Sequence, residues 1–101
     1  LGGGEPLWGL PPTAASLDAY LAMLGDAPLA WAVAVLGGSL LDSEIARLAL
    51  ERGGHLRVGL EDHDGGPGNA EQVAAAAKLC ADAGRSVASI DDATRLLDLP
   101  A

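Results

Sequence analysis

Phenylalanine is absent, lysine occurs once, at Lys78, and cysteine once, at Cys80. The 14 acidic residues outnumber the 6 basic ones, giving a formal net charge of -8. Binding to a phosphate backbone draws on clustered Lys and Arg. Nucleic acid is therefore not an expected partner, and an anionic membrane surface is disfavoured for the same reason. The longest apolar run, LAWAVAVL at 29–36, is far short of the roughly 20 residues a membrane-spanning helix needs. The first residues lack the basic start and apolar stretch of a signal peptide. A lone cysteine forms no internal disulfide, which fits a reducing cytosol, and a cytoplasmic location is expected. Cys80 lines up with Val73, Ala76 and Ala77 at helical spacing and reads as a small buried packing residue rather than a reactive thiol.

Aromatics make up only 3% of a chain that is 50% hydrophobic, so the core has to be built from Ala, Leu and Val. A chain of 101 residues forms at most one domain. Its beginning, LGGGEPLWGL, has no initiator methionine and suggests a processed start or a piece of something longer.

Hydrophobic periodicity alternates between strand and helix. LWGL at 7–10 reads as a short strand closed by Pro11 and Pro12. Thr13 or Ser16 can cap a helix carrying Leu17, Tyr20, Leu21 and Leu24, with Gly25 to end it. The run at 31–36 is apolar on both faces, as in a buried parallel strand. Ser39 and Asp42 resemble a capping box opening a helix with Ile45, Leu48 and Ala49 inward. A strand follows over 55–61, and then the loop HDGGPG. Asn69 and Gln72 form another expected capping box, with a helix to about Gly84. Ser89 caps a last short helix with Ala93, Leu96 and Leu97 inward. The order is that of right-handed crossover units with parallel strands, an α/β class. A complete (β/α)8 barrel needs about 250 residues, so three such units amount to a segment of one. Its sheet would have two open edges, and its outer helices would leave the opposite face bare.

The stretch HLRVGLED carries the chemistry. At period two, His55, Arg57, Gly59 and Glu61 share one face, and Leu56, Val58 and Leu60 the other. Functional residues of parallel α/β folds gather at the carboxyl ends of strands, where Glu61 and Asp62 lie. His55 falls about 20 Å from Glu61 along an extended strand, too far to share a metal ion. Arg57 is about 13 Å from Glu61 on the same measure, within partial reach of a long side chain. A guanidinium beside two carboxylates favours their charged forms, as a metal ligand or a base requires. The same residues also suit a buried ion pair that only fixes the interior. His63 is two residues beyond Glu61, in the manner of a second ligand, although a loop histidine among glycines is more often simply solvated. Gly66 and Pro67 fall fifth and sixth from Asp62, out of step with an EF-hand loop, which places glycine sixth. Gly37, Gly38 and Ser39 follow a strand, either as an anion cradle or as ordinary turn chemistry.

GGHLRVGLED, the W-x-V-A strand, the NAEQV helix and the AGRSVASIDDATRLL tail together resemble the C-terminal portion of the β-keto acid cleavage enzymes, the family that includes 3-keto-5-aminohexanoate cleavage enzyme. RVGLED is the specific element. The resemblance implies a zinc-dependent (β/α)8 (TIM) barrel, of which this chain would hold the last three strands. It also implies transfer between a small β-keto acid and acetyl-CoA, giving acetoacetate and a new acyl-CoA. Glu61 would be a metal ligand, Arg57 and Asp62 a catalytic pair, and Gly37, Gly38 and Ser39 the turn nearest coenzyme A. The family's His-x-His metal pair has no counterpart here, so the 101 residues alone are expected to be inactive. The full-length protein is expected to be a homo-oligomer. A different class of reading is a non-catalytic α/β module that binds a partner through its open sheet edges.

Overall fold

The computed structural model describes residues 1–3 and 9–100. Among them, helix α1 (Ala14–Leu24), strand β1 (Ala32–Val33), helix α2 (Glu44–Glu51), strand β2 (His55–Leu56), helix α3 (Asn69–Asp82) and helix α4 (Ile90–Leu96) follow in that order. β1 and β2 pair in parallel, Ala32 opposite His55 and Val33 opposite Leu56. On the other side of β1, Gly2 bridges Leu36, also in parallel. The result is an α/β fold with a small parallel sheet.

A third strand segment is therefore at the first residues. Residues 7 and 8 of the strand expected at 7–10 lie outside the described residues, while Gly9 and Leu10 form a bend. The Leu10 carbonyl accepts a hydrogen bond from the Gly2 amide at 3.0 Å. Gly2 and Gly3, without side chains, still pair through their backbone, a contribution hydrophobic periodicity cannot register.

The core lies between the sheet and α1 and α2. Leu17, Val33, Val35, Leu40, Ile45, Ala46 and Ala49 form one buried cluster. Alanines at 46 and 49 keep the α2 backbone close to the strands, so an aliphatic core suffices without phenylalanine. α2 touches α1, α3 and both strands. The run at 31–36, expected as one strand covered on both sides, is strand at Ala32–Val33 and bridges again at Leu36; Val33 and Val35 are buried, while Ala32 is exposed. Leu56 and Val58 lean on the core side, which puts the alternate residue Arg57 on the open face.

Several helix boundaries follow the expected chemistry. The Thr13 side chain accepts from the Ser16 amide, and Gly25 closes α1 with φ 60°. The Ser89 and Asp92 side chains form a reciprocal capping box on α4. Two boundaries differ. α2 begins only at Glu44 behind Ser43, because the chain first makes a turn in which the Ser43 amide and hydroxyl both bond to the Leu40 carbonyl, at 3.0 and 2.6 Å. The Ser39–Asp42 box is therefore not formed. α3 has Gly68 at its N-cap, and Gln72 reaches back to the Pro67 carbonyl at 3.0 Å instead of to Asn69. Leu96 and Leu97, expected inward, are each 53% exposed. Cys80 is half-buried.

Candidate functional site

Arg57 stands one residue beyond β2, its amide still held by the Val33 carbonyl at 3.0 Å. The strand backbone thus aims the guanidinium along the open face of the sheet. There the chain does not stay extended to Glu61: Leu60 to Asp62 form a turn, and the Asp62 amide returns to the Gly59 carbonyl at 3.2 Å. Leu60, expected on the apolar face, is consequently 56% exposed. The turn replaces the extended separation with direct contact.

One guanidinium then serves two carboxylates. Arg57 Nη1 donates to Asp62 Oδ1 at 2.6 Å, and Nη2 donates to Glu61 Oε1. The two acids differ in setting: the Asp62 side chain is 7% exposed and that of Glu61 60%. A buried carboxylate needs a charged or hydrogen-bonding partner, and Arg57 supplies it. No buried side-chain nitrogen or oxygen among the described residues lacks a partner. Glu61 faces solvent and can turn toward a ligand without being desolvated. The fork geometry is particular to arginine, since an ammonium offers one point charge where a guanidinium offers separate nitrogens to separate acids.

Gly59, on the same face as Arg57, leaves the room this requires. A Cβ there would press on the Glu61 carboxylate, 2.9 Å from its carboxyl carbon. This contribution of Gly59 was missed in the sequence; the signal was a glycine between two charged residues on one face of a strand.

Asp62 and His63 border a narrow cavity of about 30 Å³ that also meets Gly38, Ser39 and Gln72, room for about one water molecule. Gly38 and Ser39 are thus beside the carboxylate turn. They do not open a helix, since α2 starts later, and the Gly37 amide is already bonded to the Asp62 carbonyl at 2.7 Å. His63 is exposed. His55 is at the opposite end of β2 from Asp62, its amide bonded to the Trp31 carbonyl at 2.9 Å.

The donor set for a metal ion is incomplete. Catalytic zinc usually takes three protein ligands, and the described residues bring no three His, Cys, Asp or Glu side chains together for one. At this turn a solvent-facing carboxylate, Glu61, stands next to an Arg57–Asp62 pair in which only the aspartate is buried.

The family model for beta-keto acid cleavage enzymes matches residues 2–99. The chain is also similar to 3-oxoadipate:acetyl-CoA acetyltransferase of Cupriavidus necator, with 42% identity over 76 residues. That match covers 69% of this chain and 26% of the relative, so the chain spans about a quarter of the length of the curated protein it resembles.

Proposed function

The chain belongs to the β-keto acid cleavage enzyme family, and on that premise we propose that the full-length protein couples cleavage of a small β-keto acid to acyl transfer with acetyl-CoA. In that reaction the bond between the keto carbon and the carboxymethyl carbon breaks. The carboxymethyl group joins the acetyl group as acetoacetate, and the remaining acyl group passes to the coenzyme A sulfur.

The observation that carries this reading is the buried Asp62 carboxylate gripped by Arg57 just beyond the carboxyl end of β2. Asp62 serves as the base. Arg57 keeps it oriented through the hydrogen bond to Oδ1, as a positioned general base requires. Gly38 and Ser39, across the small cavity from Asp62, form the turn nearest the coenzyme A side. Glu61 is one zinc donor, and its remaining partners come from beyond these 101 residues. The parallel strand segments are then a wall of a (β/α)8 barrel whose interior is the side bearing Arg57.

The test uses the full-length protein. Glu61→Gln should lose zinc by elemental analysis, while Asp62→Asn should keep it and lose roughly 10²–10⁴-fold in turnover. Full zinc content in Glu61→Gln overturns the donor assignment, and undiminished turnover in Asp62→Asn overturns the base.

A further inference from the structure

We propose that Gly37 is a positioning residue for Asp62, acting through its backbone; this rests on the reading of Asp62 as the base. Asp62 is held in three ways. Its side chain bonds to Arg57 at 2.6 Å; its amide bonds to the Gly59 carbonyl at 3.2 Å, and its carbonyl accepts from the Gly37 amide at 2.7 Å. The first two partners belong to the same strand and turn as Asp62 and move with it. Among the described residues, Gly37 alone ties Asp62 to the neighbouring strand.

The alternation of a strand explains why this amide is available. Leu36 directs its N–H to the Leu1 carbonyl at 2.9 Å, so the next N–H points to the other side of the strand, toward β2. There the paired strand has already ended and the chain has turned, so the Asp62 carbonyl takes the place of a ladder residue. The donor is firmly seated, since Val35, two residues earlier, is 2% exposed. Gly37 itself has φ 78°, a left-handed conformation that lets the chain leave the sheet immediately after donating and that an L side chain strains. The sheet thus sets the height of the turn that carries the base. A displacement of about 1 Å at such a position costs roughly 10²-fold in rate.

Two other glycines of similar φ provide controls. Gly53 and Gly84 have φ 83° and 73°, no atom within 4 Å of an added Cβ, and no bond to Asp62. The experiment compares Gly37→Ala, Gly53→Ala and Gly84→Ala in the full-length protein by melting temperature, by kcat and KM for acetyl-CoA-dependent β-keto acid cleavage, and by the NMR signal of the Arg57 guanidinium. All three should lose similar thermal stability. Only Gly37→Ala should lower kcat, by about tenfold or more, with KM within about twofold, and only it should shift the Arg57 signal. Gly37→Asn, which tolerates left-handed φ better than alanine, should recover most of kcat and the Arg57 signal; Gly37→Pro, which lacks the N–H, should lose both, and retained kcat in it would overturn the proposal.

A Gly37→Ala protein with the kcat of the two controls overturns the proposal. So does an Arg57 signal unmoved by that substitution. The guanidinium signal needs no turnover, so a wild-type protein without cleavage activity would sink the proposed function and still leave the tie between Gly37 and Asp62 open to test.

Discussion

A single methylene decides more at some positions of this chain than a charge does at others. Gly54 is buried directly against the Trp31 ring, and a Cβ there would stand 2.7 Å from Cε3. The ring is itself packed on the core, so it has to move as a rigid plate. Gly54→Ala is therefore expected to cost about 1–3 kcal/mol, read by urea denaturation with tryptophan fluorescence; unchanged stability would mean that Trp31 swings aside freely. The carboxylates at 61 and 62 contrast with this. Their charge could be read from the sequence, and so could the partial reach of Arg57 toward Glu61, two strand periods away, while the direct contact came from the turn. Their unequal exposure could not be read, because it arises from the turn after Gly59.

Elements in this chain are short, so their ends count heavily. A helix of seven residues, Ile90–Leu96, is marginal without a cap. The Asp92 carboxyl is held below its ordinary value of 3.8, first by the Ser89 hydroxyl and then by the Ser89 amide. A carboxylate with a lowered folded pKa adds stability above its unfolded value and withdraws it as the pH falls through the folded one. α4 should thus fray below pH 3.8, with its amide signals moving while those of α2 stay. Asp92→Asn should remove that pH dependence, and an unaltered titration in the variant would show that another group governs the fraying. This cap was legible because Ser89 and Asp92 are local partners. The start of α2 was not, because Leu40, three residues before Ser43, had to be buried under the sheet first.

Across the whole molecule, protection should follow enclosure. α2 touches both strands and two helices, whereas α4 keeps most of its apolar side chains in solvent. Arg85 reinforces the centre, donating to the Leu50 carbonyl at 3.2 Å and to that of Gly54, so the segment after α3 clasps the end of α2. Native-state hydrogen exchange should therefore be slowest in α2 and fastest in α4; equal protection in the two would show that α4 is covered by something else. The sequence by itself determined the α/β alternation, the aliphatic core, the cap at Ser89, a cap at Thr13 or Ser16, and the charges gathered after His55, because each depends on residues within a few positions of one another. Only the tertiary structure decided that Gly2 pairs with Leu36, that Gly54 lies under Trp31, and that Asp62 is buried and tied to Gly37. Those outcomes join residues distant in the chain through backbone hydrogen bonds and excluded volume, and neither leaves a periodic trace in the order of side chains.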